Sequence, residues 1–394
     1  MRFVFVNLHG NEFLLKTLNK IVFKQSVAIK HKYLLDYMLI NPDIEVCSYI
    51  NELGFSMSYT HAKTFKAFRF LEHKIALYAN GIDCKKITVL KNESEIRSDD
   101  IVILYNYYRN QLVFSKRPDS FLAVSMLHFG TANSNTLKQL QPDVMYNEAN
   151  FQHGSKIFNH FYAWFNKDFI TIPFVFANRF QKIVPFSERK NMAVSVGTIT
   201  YMHNITEIYG DPCAQPARKQ IKDHAKELED IIECRNSDYL EDDASKQSTN
   251  GNMITRLYSQ LYNKLFTGHQ KSYYSFNMVD KFNEYKMCIV GEEIMGIPGV
   301  GFVEGMACGC AYIGQTVGYY EDYGMQEGVH YIGYDGTLTD LRNKIEYYQR
   351  PEHQAKLEQI ANNGYEFAIN HFNGKSIAEK LIKEIVELKK SIQK

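Results

Sequence analysis

The stretch from Gly291 to Glu304 has the residue types to hold a polyanion. It reads Gly291-Glu292-Glu293, then Gly296-Ile297-Pro298-Gly299-Val300-Gly301, then Phe302-Val303-Glu304. Glycines let a polyanion approach the main chain, and the N–H groups at a helix start form an anion site. A carboxylate one turn into that helix cannot serve phosphate. It can accept two hydrogen bonds from a ribose diol, and this is the chemistry open to Glu304. Glycine turns without ligands are frequent, so the loop has to be read in its context. His128 is the second candidate. It follows the apolar run Phe121–Leu127 and precedes Phe129-Gly130-Thr131. An imidazole at a strand's carboxyl end is placed to orient a sugar or donate a hydrogen bond, and a purely structural histidine is the alternative. The turn Asn7-Leu8-His9-Gly10-Asn11 is a further candidate on the same grounds.

No metal is expected. Asp99-Asp100 and Glu241-Asp242-Asp243 are the acidic clusters, and neither has an aspartate, spacer, aspartate pattern at a strand end. Such clusters in loops are usually solvated. The seven cysteines are odd in number and lack zinc-ligand spacing. Cys308 and Cys310 flank Gly309 in an apolar run and read as small buried residues. Scattered free thiols suit a reducing compartment.

These residues need a scaffold that brings them to one edge. Short apolar runs recur between helical stretches. In the first half they are Phe3–Val6, Ile87–Leu90, Ile101–Tyr105, Phe121–Met126, Val144–Tyr146 and Pro173–Phe176. In the second half they are Met192–Val196, Met287–Val290, Ala311–Gly314 and His330–Gly333. Continuous apolar runs flanked by helices predict buried parallel strands and an α/β class. The chain has 394 residues, too many for one ordinary core, so two domains are expected, 1–185 and 186–394, divided near Pro185. Asn51–Asn80 is helical in character and rich in basic and aromatic residues. It reads as a solvated helix pair, with an acceptor or membrane-surface contact as the alternative. Arg235–Gly251 reads as a polar loop. Pro216 opens a helix with Ile221, Ala225, Leu228 and Ile232 on one face. Thr337 with Asp340, and Ser376 with Glu379, resemble capping boxes. The stripe Ile377, Leu381, Ile385, Leu388 and Ile392 of the last helix is expected to pack on the second domain.

The run Phe302-Val303-Glu304-Gly305-Met306-Ala307-Cys308-Gly309-Cys310 resembles the "E-(A/G)-M/L-A-C-G" signature of GT-B glycosyltransferases, in the large retaining sugar-nucleotide group. Gly318–Asp322 resembles that family's "G-G-x-x-E" loop, Glu327-Gly328 its next turn, and Leu338–Phe372 its closing helices. The resemblance is specific from residue 287 onward and only topological before it. It implies two Rossmann-like domains facing each other across a cleft, the first on the acceptor side and the second on the donor side. It implies ribose contact by Glu304 and a diphosphate cradle from the backbone of Gly299, Val300 and Gly301. It also implies that Gly197 and Thr198, at the end of the second domain's first strand, lie near the donor phosphate. Arg218 and Lys219 are the next basic pair after that strand, and Arg189 and Lys190 lie just before it. Solvated surface charge is the competing reading of each pair. The family's first motif glutamate falls on Gly296, so Glu292 or Glu293 is expected to substitute or the sugar to be held differently. His128 matches a histidine that related transferases carry near the donor sugar. With Glu304 it makes up the expected catalytic set.

The expectation is a glycosyltransferase of the hexosyltransferase type, using a nucleotide-sugar co-substrate and no other cofactor. A saccharide or lipid-linked acceptor in cell-surface polysaccharide synthesis is expected by analogy. Other GT-B chemistry, such as an epimerase or a polyol-phosphate transferase, and a non-enzymatic sugar binder are the alternatives. Lys plus Arg is 45 against 44 for Asp plus Glu, which argues against nucleic acid as the main partner. The first residues, Met-Arg-Phe-Val-Phe-Val, lack a signal-peptide pattern, and no run reaches the roughly 18 apolar residues of a membrane span. The cytoplasm is expected, with the inner face of the membrane left open.

Overall fold

The computed structural model describes residues 1–8, 31–50, 66–105, 114, 119–126, 134–202, 205–238, 276–316 and 318–392. His128, His9–Asn11, residues 51–65 and residues 239–251 lie outside the described residues.

Strands buried along their whole length require cover on both faces, which favours parallel sheets. β1 (Arg2–Val6) and β5 (Phe121–Ser125) are buried at every residue. They belong to a seven-stranded sheet in the order β3-β2-β1-β4-β5-β6-β7, parallel throughout. Its other strands are β2 (Glu45–Tyr49), β3 (Ile87–Leu90), β4 (Ile101–Tyr105), β6 (Val144–Asn147) and β7 (Phe169–Thr171). β2 is not among the expected strands. Glu45 and Ser48 interrupt its apolar pattern, yet β1 and β3 enclose it and bury its last four residues. The strand expected at Pro173–Phe176 lies earlier, as β7. A proline cannot donate to the ladder, so pairing stops before Pro173.

The second sheet has five parallel strands in the order β12-β11-β10-β8-β9. They are β8 (Lys190–Ile199), β9 (Ile232–Asp238), β10 (Tyr285–Ile289), β11 (Ala311–Gln315) and β12 (Ile332–Tyr334). β9 replaces what the sequence presents as a helix end and a loop. The helix at Pro216 stops at Asp223, and Ile232 opens a strand paired along β8. β9 is an edge strand, so its Glu233, Arg235 and Asp238 need not be buried.

The chain divides into two compact units, one of Met1–Val175 with Asn373–Lys394, the other of Phe176–Phe372. The division falls ten residues before the expected Pro185, and the last helix joins the first unit instead of the second. Its apolar stripe explains this. In the helix Gly374–Ile392, Ile377, Leu381 and Ile385 pack in one core with Leu34, Leu35 and Met38 of the helix Lys32–Ile40. Gly374 admits the close approach, since a Cβ there would stand 2.7 Å from Cβ of Tyr33. The cap also differs. Asn373 Oδ1 accepts the Ser376 N–H at 2.9 Å, so Asn373 caps the helix rather than Ser376. Thr337 caps as expected, accepting the Asp340 N–H at 3.1 Å.

Candidate functional site

In a parallel sheet the carboxyl edge is where ligands bind. In the second unit that edge is stitched together by buried side chains. The helix α1 (Pro216–Asp223) begins at a proline, suited to a first turn, and places Arg218 against the sheet. Arg218 is buried, and its guanidinium crosses from β8 to β10. Nε donates to Val290 O at 2.5 Å, Nη1 to Thr198 O at 2.8 Å and Nη2 to Gly291 O at 3.4 Å.

Glycines clear the space for this group. A Cβ on Gly197 would lie 2.6 Å from Arg218 Nε, and one on Gly299 would lie 2.5 Å from Nη2. Gly197 also has a φ of 149°, inside β8. Gly197, Thr198, Arg218 and Gly299 thus come together at this edge. Thr198 contributes its carbonyl. Arg218 ties three backbone carbonyls beneath the glycine loop, where a surface charge was the simple reading. Lys219 does not join them. It pairs with Asp223 at 2.5 Å along the exposed side of α1. Arg189 is also structural. It is buried and donates to Cys308 O at 2.7 Å and Val184 O at 2.9 Å. Lys190 pairs with Glu284 at 2.5 Å.

The loop after β10 follows local rules. Gly296 has a φ of 86° and donates its N–H to Glu293 O at 2.9 Å, closing a turn in which Glu293 bridges to Ile297. A side chain at Gly296 would be strained there, which is the physical reason that no carboxylate occupies the position. Gly301 opens the helix α2 (Gly301–Ala307) against Val290, which a Cβ would meet at 3.1 Å. Val300 precedes it, 45% exposed, and gives the helix no side-chain cap.

Two carboxylates behave differently. Glu292 is buried and turns toward β11, away from Arg218. One oxygen accepts the Gln315 N–H at 2.8 Å, the Tyr312 hydroxyl at 3.4 Å and the Tyr320 hydroxyl. Its other oxygen is buried with no hydrogen-bond partner among the described residues. Burial, and then the Glu292 charge, hold the Tyr312 and Tyr320 hydroxyls well above their ordinary pKa. Glu292 therefore anchors the Gly318–Asp322 loop through Tyr320. Glu293 accepts from Gln215 Nε2 at 3.1 Å. The Glu304 side chain, on the first turn of α2, forms no hydrogen bond or ion pair with a described residue, while its carbonyl accepts the Cys308 N–H at 3.1 Å. Desolvation pushes its pKa up from 4.5 to about 7, and the Arg179 charge draws it partly back. Among the described residues Glu304 is thus a half-buried carboxyl with no side-chain partner, one turn past a glycine loop.

Sequence reasoning missed Tyr312, Tyr320, Gln215 and Arg179. The tyrosine-rich run from Tyr312 to Tyr323 is the one local signal. Cys308 and Cys310 are buried as expected, and the Cys310 thiol donates to Phe282 O at 2.8 Å.

No family model matches the chain, and no curated protein matches it. Solved structures do. The trehalose-6-phosphate phosphatase N-terminal domain of Candida albicans has a TM-score of 0.52 at 9% identity, over 98% of this chain and 99% of that one. HepE of Anabaena, in complex with UDP and glucose, has a TM-score of 0.48 at 12% identity, over 98% and 99%. Sucrose-phosphate synthase of Thermosynechococcus elongatus has a TM-score of 0.48 at 13% identity, over 98% and 99%. At such identities the first likeness shows the fold alone. The chain has the GT-B fold, two parallel α/β units in one polypeptide.

Proposed function

We propose that the chain is a glycosyltransferase of the hexosyltransferase type, which moves a sugar from a nucleoside-diphosphate sugar to a saccharide or lipid-linked saccharide. The observation that carries this reading is Glu304, a desolvated carboxyl without a hydrogen bond to any described residue, beside a glycine loop at the carboxyl edge of a parallel sheet. In this reading it accepts hydrogen bonds from the donor ribose. Backbone N–H groups of Gly299, Val300 and Gly301 hold the diphosphate, and Arg218 adds positive charge beneath them. As the bond from the anomeric carbon to phosphate breaks, charge grows on the leaving nucleotide, where these groups stabilise it. The acceptor oxygen bonds to the same carbon and gives up its proton to the departing diphosphate oxygen. The second unit takes the donor and the first unit the acceptor side. Cell-surface polysaccharide assembly in the cytoplasm, at the inner face of the membrane, is the proposed setting. No helix among the described residues is long and apolar enough to cross a membrane.

The test is thermal unfolding with UDP, GDP and free sugars, followed by mass spectrometry of a nucleotide-sugar panel for slow donor hydrolysis. A nucleoside diphosphate at a hundred times its Kd should stabilise the chain by about 2.7 kcal/mol. Stabilisation by free sugar alone, with every donor intact, would leave a sugar-binding protein as the correct reading.

A further inference from the structure

A groove of mixed polar and apolar lining lies in the unit Phe176–Phe372, away from the glycine loop. The helix α3 (Gln354–His371) carries Asn363, Glu366, Phe367, Asn370 and His371 at helical spacing on one face. The adjoining face, with Leu357, Ile360, Ala361, Gly364 and Ala368, is buried. The turn Val329–His330 forms the second wall of a groove of about 370 Å³, within the range of small-ligand pockets. His330 leads into the amino end of β12, whereas the Gly291–Gly301 loop leaves the carboxyl end of β10. In a parallel sheet these are opposite edges.

The chemistry of this face is unusual for the chain. Other solvent-facing helices carry ion pairs at i,i+4, such as Arg342 with Glu346 and Lys380 with Glu384. The groove is lined by neither lysine nor arginine. Asn363 and Glu366 make no side-chain hydrogen bond or ion pair with another described residue. The Phe367 ring lies 4.7 Å from that of His330 and 4.5 Å from that of His371, and rests edge-on against Phe372 at 5.4 Å. His330 Nδ1 accepts the Gln326 N–H at 2.9 Å, which puts the ring proton on Nε2. An accepting Nδ1 means a neutral ring, and burial, followed by His371, shifts its pKa in the same direction, downward.

We propose that this groove is a second saccharide site, for a neutral pyranose chain. Aromatic rings take the apolar face of a sugar, while amides, a carboxylate and a neutral imidazole match its hydroxyl pairs. With Glu366 present and neither lysine nor arginine in the lining, the groove does not suit a phosphate. The choice of a sugar chain as occupant rests on the glycosyltransferase reading. A site off the donor edge would tether acceptor or product and raise its effective concentration.

Electrophoresis of the full chain in gels cast with glycogen, dextran, xylan or galactan tests the proposal. At least one polymer should retard the protein. The double variant Asn363→Ala/His371→Ala should weaken that retardation at least about tenfold, with nucleotide stabilisation and donor hydrolysis unchanged. Phe367→Ala should also release the polymer, with its melting temperature read on the same sample because of the Phe372 contact. Absence of retardation by all four polymers, or retardation unaltered in the double variant, overturns the proposal. Retardation that the double variant abolishes, in a protein that no nucleoside diphosphate stabilises, keeps this site and removes the glycosyltransferase reading.

Discussion

In the proposed reading Glu304 sets ligand binding against stability. Its carboxyl holds its proton more tightly in the folded chain than in the unfolded one, with a pKa of about 7 against 4.5. Stability from this group is therefore complete below about pH 4.5 and declines as pH rises to 7. Glu304→Gln should stabilise the fold at pH 8 by roughly 1–3 kcal/mol, allowing for its partial exposure, and the gain should fade below pH 5. Melting curves at both pH values check this, and an equal gain at both would refute the desolvation argument. The same variant should weaken nucleotide binding by about 1–3 kcal/mol. In the parent chain, the affinity for a nucleotide sugar should fall by about tenfold between pH 8 and pH 6, as the carboxylate takes up its proton. Calorimetry that finds pH-independent binding would remove Glu304 from the ribose. The motif around Glu304 is local, so this residue was legible in the sequence. The anchoring role of Glu292 was not, because it depends on Tyr312, Tyr320 and Gln315, which reach it across the β10–β11 pair.

At the scale of elements, two joints carry the architecture. The first is Arg218, which links α1, β8 and the end of β10 through carbonyls that only a forked guanidinium reaches together. Arg218→Lys keeps the charge and loses the fork. It should cost about 2–4 kcal/mol of stability and weaken nucleotide binding, because Gly299 rests on the same group. Lys219→Ala should leave melting temperature and affinity unchanged, its partner being the exposed Asp223. Equal effects of the two variants would mean that the adjacent residues share one role. The second joint is the C-terminal helix. Leu381 is fully buried against the helix Lys32–Ile40, so Leu381→Ala should cost about 2–4 kcal/mol, measured by denaturant unfolding. The sequence showed the stripe on this helix. It could not show which core would receive it, since both units offer apolar surface.

For the whole molecule, the two units hold separate cores. Calorimetry should reflect that separation. Leu381→Ala should lower the transition of the first unit, and a nucleoside diphosphate should raise that of the second. One transition that moves as a whole with both would mean that the units unfold together. Donor turnover should survive EDTA, since the proposed diphosphate site is built from backbone N–H groups with the Arg218 charge beneath them. Loss of turnover in chelator, restored by Mg²⁺ or Mn²⁺, would assign a metal to the acidic residues.

The sequence by itself determined the α/β class, most strand positions and the strand, glycine loop, helix, strand unit from Met287 to Gly314. Those features are written in contiguous residues, as apolar runs long enough for one strand and glycines where the backbone must turn. Tertiary structure alone decided that Glu45–Tyr49 and Ile232–Asp238 are strands, that the last helix returns to the first unit, and that Arg218 rather than Lys219 faces the loop. It alone decided as well that Gly197 and Gly299 both make room for one guanidinium. Each of these depends on which distant segment supplies burial or a hydrogen-bond partner, and a residue's neighbours in sequence do not specify its neighbours in space.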